Sequence, residues 1–374
     1  MHTMHIGIDI RHLCTPHPTG VGHYSYEIIT QLLTHTDIHW TLFASGGKST
    51  LRHLPTPLIT SRPHITVHPY RTSNRILNTK LRTKQVYLED LVASPIDGWF
   101  FPNLDFIRTR KPYVITAHDV SFAFLPEYFS PKTRLWHRLV EPRRLYQEAN
   151  HIISVSQSTT TDLEQVFQIP SQKIDTIRLT ATPEFSPHIL PNDRHTLLTY
   201  GIKTPYLLSL STLEPRKNHL GLLQAYEQWV HKTKNPIPWI IVGNRGYRSK
   251  DILHAIKKSS ARHYITYLGY IDTKHRPVFT RHAKALLFPS FYEGYGLPVQ
   301  EALQSGTPVL TSSNSALLEH VSPQILHVNP WHIQEMSAGI DAILSLPVTK
   351  GIETPMTWRD ITLHTREILE KYLS

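Results

Sequence analysis

Short runs of consecutive apolar residues recur along this chain, separated by longer stretches in which apolar residues return every three or four positions. A run without alternation suits a strand covered on both faces, whereas a three-to-four spacing suits a helix with one apolar stripe. The first series of runs is Ile6–Ile10, Thr41–Ala44, Ile65–His68, Gly98–Phe101, Val114–Thr116 and Ile152–Val155. A second series is Tyr206–Leu210, Trp239–Val242, Ile265–Leu268, Ala285–Phe288 and Pro308–Thr311. Strand and helix alternate within each series, which predicts α/β architecture with a parallel sheet and helices on both of its faces, built twice.

Two helices can be placed by their ends. One starts near Asn218, a good N-cap residue, and its stripe uses Leu222, Leu223, Tyr226, Trp229 and Val230. Another starts at Ser130-Pro131, cap and first-turn proline together, and Pro142 is expected to kink or split it. Between the two series lies a proline- and turn-rich stretch, so a linker is expected at about residues 184–204. This gives an N-terminal domain over 1–190 and a second domain over 205–355. A chain of 374 residues is comfortable for two domains.

Composition narrows the setting. A single cysteine, Cys14, excludes an internal disulfide framework and fits a reducing compartment. No apolar run approaches the roughly 20 residues that span a bilayer, and Met1–Ile10 does not resemble a signal peptide. A cytoplasmic protein is expected. Lys and Arg outnumber Asp and Glu by 39 to 29, a net charge of +10, which favours anionic partners without choosing among nucleic acid, lipid and phosphorylated metabolites.

Four segments carry candidate chemistry. Thr19-Gly-Val-Gly-His-Tyr follows the first strand and precedes a helix expected near His23. Its glycines, Gly20 and Gly22, permit close backbone approach, and the helix start offers free N–H groups to an anion. His118-Asp119 directly follows the strand Val114–Thr116, where open parallel sheets bind ligands. Ser211-Thr-Leu-Glu-Pro-Arg-Lys-Asn218 also lies between a strand and a helix, and Arg216 with Lys217 suits a diphosphate. Finally, Phe288–Ala302 places Glu293 in a loop with Gly294 and Gly296, and Glu301 in the first turn of the following helix, where Pro298 belongs. Both carboxylates are suited to accept hydrogen bonds from sugar hydroxyls.

These segments, in this order, resemble the retaining GT-B glycosyltransferases of family 4 (group 1), most closely the bacterial mannosyltransferases of surface-polysaccharide synthesis. Glu-Pro-Arg-Lys-Asn after a strand, and Glu293 and Glu301 followed by Gly306-Thr-Pro-Val, carry the resemblance, together with the opening Gly7-Ile-Asp-Ile-Arg. The resemblance covers nearly the whole chain. It implies two Rossmann-like domains facing across a cleft, with a C-terminal helix, residues 356–374, crossing back to the N-terminal domain. It implies that Lys217 and Arg216 hold the donor diphosphate and that Glu301 binds the ribose. It implies further that Glu293, with Gly294, Gly296 and Leu297, contacts the donor, and that the backbone at Tyr270-Ile271 lies near the base. Gly20 and Gly22 would approach the phosphates or the acceptor, and His118 would line the reaction centre. Ser211 stands where glycine is usual, Thr212 where some members carry arginine, and Arg178-Leu-Thr-Ala replaces a glycine-containing turn.

The activity implied is transfer of a hexose, mannose foremost, from a nucleoside-diphosphate sugar such as GDP-mannose to a glycan or polyprenyl-linked acceptor. No cofactor is expected, and no metal, since no Asp-x-Asp sequence is present. The acceptor's setting and the basic residues add the expectation of peripheral contact with an anionic membrane at its inner face. Two alternatives stand beside this reading. One is a GT-B sugar-nucleotide epimerase. The other is a basic, non-enzymatic nucleic-acid-binding protein, which would leave the two-glutamate segment unexplained; no nucleic acid is expected as partner.

Overall fold

The computed structural model describes residues 3–16, 19–60, 62–346, 351–352 and 356–374. Two compact units emerge. The first comprises Met1–Ala123, Pro131–Leu179 and Met356–Ser374, and the second Phe124–Ser130 and Thr180–Pro355. The chain therefore changes unit after Leu179 rather than at 190, and the short segment Phe124–Ser130 clusters with the second unit although its flanks belong to the first. The expected linker is not free of structure, because Asp193–Thr199 is a helix of the second unit. Asp193 anchors it, accepting hydrogen bonds from Arg281 Nε at 2.8 Å and His282 Nε2 at 3.1 Å.

The first unit holds seven parallel strands: β1 (His5–Asp9), β2 (His39–Ser45), β3 (Ile65–Tyr70), β4 (Gly98–Phe101), β5 (Tyr113–Ala117), β6 (His151–Ser154) and β7 (Ile174–Thr176), in spatial order 3-2-1-4-5-6-7. The second holds six: β8 (Leu207–Leu210), β9 (Trp239–Val242), β10 (Ile265–Gly269), β11 (Ala285–Phe288), β12 (Val309–Ser312) and β13 (Ile325–Val328), in order 10-9-8-11-12-13. Every apolar run read from the sequence is a strand, shifted by a residue or two at its ends. The central strands β4, β5, β8, β9 and β11 are buried at every position, which is why their sequences do not alternate. Strands β7 and β13 add an edge to each sheet that the pattern missed. In each sheet the order reverses once, between β1 and β4 and between β8 and β11, which puts a crevice at the carboxyl ends of those strands.

Local signals hold in part. The helix Pro131–Val140 ends at Glu141, which takes a left-handed conformation (φ 56°), and Pro142 opens a second helix, Pro142–Glu148. The proline thus splits the helix rather than bending it, having no N–H to continue the ladder. Asn218 precedes His219–Lys232 but does not cap it through its side chain; its own φ is 56°, and its amide donates to the Pro330 carbonyl at 2.7 Å.

The C-terminal helix Trp358–Leu373 opens with a reciprocal Thr357–Asp360 capping box and packs on the helix Gly20–Leu32 and on β4, β5 and β6 of the first unit. Trp358, Ile361, Ile368, Leu369 and Leu373 form its inner face, while Leu363 is exposed. Gly98 makes room for it: a Cβ there would sit 2.7 Å from Leu373 Cβ. Tyr372 stacks on the His151 ring at 4.0 Å. No helix among the described residues is long and apolar enough to cross a membrane.

Candidate active site

The second unit brings its predicted residues together at the reversal between β8 and β11. After β8, the backbone turns through Pro215–Lys217, a single 3-10 turn that points Arg216 and Lys217 at the loop following β11. There, Glu293 accepts a 2.5 Å bond from Lys217 Nζ and a 3.1 Å bond from Arg216 Nη1. Arg216 also donates to the Tyr292 carbonyl at 2.7 Å and to Glu214 at 3.1 Å. Lys217 lies over the Phe288 ring at 5.2 Å. All three side chains are close to buried, with Glu293 only 8% exposed.

Charge balance follows from this geometry. Burial disfavours an ionised Glu293, but Lys217 and Arg216 outweigh it and hold its pKa down at about 2. Burial draws the Lys217 pKa below its usual value, and the Glu293 carboxylate opposes that fall. The site therefore gathers two cations, balanced by Glu293 and by the more exposed Glu214, at a switch point where an anion can share them.

Glu293 is held by more than its ion pairs. Its backbone N–H donates to Ser315 Oγ at 3.1 Å, and residues 292–296 are all buried. Gly296 is the N-cap of the helix Leu297–Gln304 with φ at 93°, and a Cβ there would lie 2.7 Å from Leu317 Cδ2. Gly294 is not among the positive-φ glycines, so one glycine rather than two takes the special backbone shape. Leu297 is the first residue of that helix, which makes Glu301 its fifth; Glu301 lies in the second turn, not the first. It is buried, and its partner is Arg276, which the sequence reading missed: Arg276 Nη2 lies 2.8 Å from one carboxylate oxygen and 2.6 Å from the other. A lone arginine after a loop gave no spacing signal to find it. Tyr270 is exposed at the end of β10, with Ile271 buried behind it. Ser211 Oγ lies 3.3 Å from His219 Nε2.

The first unit gathers a separate set at the ends of β1, β4 and β5. The helix after β1 begins at Gly20, not near His23, so Gly20 and Gly22 are its first and third residues, in helical conformation rather than a turn. Gly20 is exposed, and a Cβ there would meet nothing within 4 Å. His118 Nε2 is 2.8 Å from the Pro102 carbonyl, an acceptor only, so Nε2 carries the proton and Nδ1 keeps its lone pair. Tyr24 meets the ring edge-on at 4.9 Å. Burial lowers the His118 pKa against the smaller effects of Pro102 and Asp119, so the ring is neutral at pH 7. Asp119 is not its partner: it accepts from Ser121 N–H at 3.0 Å and Ser121 Oγ at 2.7 Å.

Beside His118 lies a buried cluster that the sequence offered only as part of its opening motif. Arg11 donates to Asp9 through Nε at 3.0 Å and Nη2 at 2.6 Å, and to the Phe106 carbonyl at 2.9 Å, with Asp105 at 3.7 Å. Burial opposes its charge, and Asp105 and Asp9 more than restore it. Next to it, burial pushes the His12 imidazole down to about 4, so it too is neutral at pH 7.

Comparison with known proteins matches both units. A family model described as "Glycosyl transferases group 1" matches residues 200–360, and one described as "Glycosyltransferase Family 4" matches residues 18–179. The chain is 27% identical over 368 residues to O-antigen chain mannosyltransferase B of Escherichia coli, covering 93% of this chain and 94% of that protein. It is 23% identical over 330 residues to O-antigen chain mannosyltransferase RfbU of Salmonella typhimurium strain LT2, covering 88% of each. Among solved structures it is similar to sucrose-phosphate synthase from Thermosynechococcus elongatus, with a TM-score of 0.71 at 18% identity, covering 99% of this chain and 95% of that one. Anabaena HepE, solved in complex with UDP-glucose, aligns with a TM-score of 0.65 at 18% identity over 99% of this chain and 95% of that one. The shared fold is GT-B, the two-sheet arrangement expected from the sequence. These matches favour the transferase over the epimerase and the nucleic-acid-binding protein.

Proposed function

Because the chain belongs to the family 4 (group 1) glycosyltransferases and serves surface-polysaccharide synthesis, we propose that it moves mannose from GDP-mannose to a glycan or polyprenyl-linked acceptor, retaining the anomeric configuration without a metal ion. Two relatives named as O-antigen mannosyltransferases support the sugar. The observation that carries the mechanism is the Arg216–Lys217–Glu293 cluster at the reversal of the second sheet.

The leaving group is a nucleoside diphosphate, on which negative charge grows as the bond to the sugar's C1 breaks. Arg216 and Lys217 are fixed cations, and the start of the helix Leu297–Gln304 adds a positive dipole end beside them. A divalent ion would supply the same neutralisation, so the paired cations support metal independence. Glu293 is ionised and already engaged, which suits accepting hydrogen bonds from sugar hydroxyls and not donating a proton. The two carboxylates, Glu293 and Glu301, have different partners and therefore different tasks, unlike a glycosidase pair flanking one bond. Retention then comes from attack on the face the leaving group vacates, within an oxocarbenium-like ion pair. In this reading His118 lines the acceptor hydroxyl, and its neutral ring with Nδ1 as acceptor supports that role. Glu301 binds the ribose, Gly294, Gly296 and Leu297 line the sugar and phosphates, and Tyr270 with Ile271 borders the base. Gly20 and Gly22 present helix-start backbone to acceptor or phosphate. The protein works on the inner face of an anionic membrane, held by exposed basic residues of its first unit.

The test is transfer of labelled sugar to a polyprenyl-linked glycan, with GDP-mannose, UDP-glucose and ADP-glucose as rival donors and the product linkage read by NMR. An α-linked mannosyl product from GDP-mannose alone supports the proposal. Preference for another donor overturns the choice of sugar and base, an inverted product overturns retention, and consumption of donor without acceptor turns the reading to the epimerase.

A further inference from the structure

Three aromatic rings meet at the rim of the cation cluster. Phe291, two residues before Glu293, packs against both of the others. Tyr128 stacks on it with ring centroids 5.3 Å apart and planes 11° apart. Trp331 leans on it at 5.3 Å and 35°. Tyr128 comes from the segment Phe124–Ser130, which belongs to the second unit. Two hydrogen bonds tie these rings to the turn that carries Arg216 and Lys217. Phe291 N–H donates to the Arg216 carbonyl at 2.9 Å, and Asn218 donates at 2.7 Å to the carbonyl of Pro330, beside Trp331. Trp331 N–H donates in turn to Asn329 Oδ1 at 3.0 Å. The indole is thus braced by a ring and by its own backbone, yet it stays 60% exposed. Polar side chains edge it: Asn329, His332 and Glu335 are all exposed.

A single apolar side chain on a surface is ordinary, but one fixed from behind and joined to a reaction site is a prepared contact. One ring in a polar border is far too small for a protein interface. It suits a hexose, whose C–H groups rest on the electron-rich face of an indole while its hydroxyls reach the polar border. A rigid aromatic anchor of this kind loses little freedom on binding. Strand order says which sugar it meets. The sheet runs 10-9-8-11-12-13. Tyr270, read as bordering the base, follows β10; the cations follow β8, Glu293 follows β11, and Trp331 follows β13. Trp331 therefore lies on the side of the cations away from the base, beyond the residue assigned to the donor sugar. We propose that Trp331 is a stacking platform for the acceptor glycan: it holds a sugar residue removed from the reacting hydroxyl, so that longer acceptor chains are preferred. This rests on the reading of the site as one that transfers a hexose to a glycan.

The experiment uses the full chain and α-linked mannose oligomers of increasing length on one common aglycone. The donor is chosen first among GDP-mannose, UDP-glucose and ADP-glucose, so an error in the donor reading appears there and leaves the acceptor series to be run with whichever donor transfers. Acceptor KM is then measured against length for the wild type, Trp331→Ala and Trp331→Phe, each checked by melting curve, with the Kd for the matching nucleoside diphosphate measured by calorimetry. In the wild type KM should fall by about tenfold from the shortest to the longest oligomer, as expected for one stacked ring. Trp331→Ala should bring the KM of the longest oligomer to within about twofold of the shortest, Trp331→Phe should recover most of the difference, and the nucleotide Kd should stay within about twofold. A wild type without length preference overturns the proposal, and so does a preference that survives in Trp331→Ala. Nucleotide binding weakened in a folded Trp331→Ala would place the ring at the donor and also overturn it. A lower melting temperature with the length preference intact would assign the rings to stability alone, again against the proposal. A chain that transfers from none of the donors refutes the transferase reading and the platform with it.

Discussion

At the scale of the residue, the site is a balance of charge in a nearly closed space, and that balance makes Glu293 the most informative position. Replacing it with glutamine keeps the shape and removes the charge, which takes from Lys217 its carboxylate partner and leaves Arg216 with Glu214 alone. Stranding buried cations costs on the order of 3–5 kcal/mol, and a bound diphosphate supplies the missing charge. Glu293→Gln is therefore expected to melt earlier than the wild type, yet to gain more from GDP in a thermal-shift assay, while transfer falls by roughly 100-fold or more. Undiminished transfer by the folded variant refutes the role of Glu293. The pH dependence has a definite sign. A carboxyl held at about 2 in the fold stabilises the protein above its unfolded value near 4.3 and loses that contribution as pH falls toward 2. Wild-type stability should thus fall more steeply than that of Glu293→Gln between about pH 4.5 and about pH 3, measured by urea denaturation. Chelation bears on the same cations. Transfer should survive EDTA, and its loss with recovery on added magnesium or manganese would show that Arg216 and Lys217 do not suffice. Glu293, Arg216 and Lys217 were legible in the sequence because adjacent cations and a glycine-flanked carboxylate each follow a buried strand. Arg276 and Asp105 were not, because each gains its meaning from a partner distant in sequence that only the folded chain supplies, and the neutral state of His12 comes chiefly from its burial.

At the scale of the element, buried strands were readable and edge strands were not. Gly98–Phe101 and Trp239–Val242 are covered on both faces, so their apolar runs are unbroken and their limits match the sequence reading. Ile174–Thr176 has three residues and only one is buried, so it leaves no run to find. Ile325–Val328 is likewise mostly half-buried at the outer edge of its sheet. Helix limits were less legible because backbone geometry competes with cap chemistry, as at Asn218, whose side chain serves Pro330 instead of its own helix. The C-terminal helix offers a clean test of packing between elements. Gly98 and Leu373 are matched in size, and a Cβ on residue 98 would approach Leu373 Cβ to 2.7 Å. Gly98→Ala should destabilise the protein by about 1–3 kcal/mol through overpacking, and Leu373→Ala by about 2–5 kcal/mol through a cavity. The double variant should lose less than the sum, because the smaller residue 373 relieves the clash that alanine at 98 creates. Additive losses in chemical denaturation would show that the helix does not press on β4 in solution.

At the scale of the whole molecule, a net charge of +10 favours anionic partners. Two helices of the first unit, Asn74–Arg82 and Pro131–Val140, carry basic residues interleaved with apolar ones. In the helix Asn74–Arg82, Leu77 and Leu81 turn into the core, so Ile76, 53% exposed, is the apolar side chain left beside Arg75, Lys80 and Arg82. In Pro131–Val140, Trp136 and Leu139 pack against the core, and Leu135, also 53% exposed, stands with Lys132, Arg134 and Arg138. Arg144 is taken up by Glu141 and Glu148. One exposed apolar side chain on each helix is too little for deep insertion, so any hold on a membrane is chiefly electrostatic. Each cation near an anionic surface contributes about 1 kcal/mol, so changing Arg75, Lys80 and Arg82 together to serine removes about 3 kcal/mol, or about 100-fold in partitioning. Ile76→Ser with Leu135→Ser should cost less than that triple change. Liposome co-sedimentation measures both. Binding should require anionic lipid and should be largely lost when salt shortens the screening length to about 3 Å at 1 M. A wild-type protein that stays in the supernatant with anionic vesicles at low salt refutes the membrane contact, and the transferase chemistry of the second unit is unaffected. Binding that resists salt and falls with the two apolar changes instead would mean that Ile76 and Leu135 insert, and that the basic residues serve only to bring the protein to the surface.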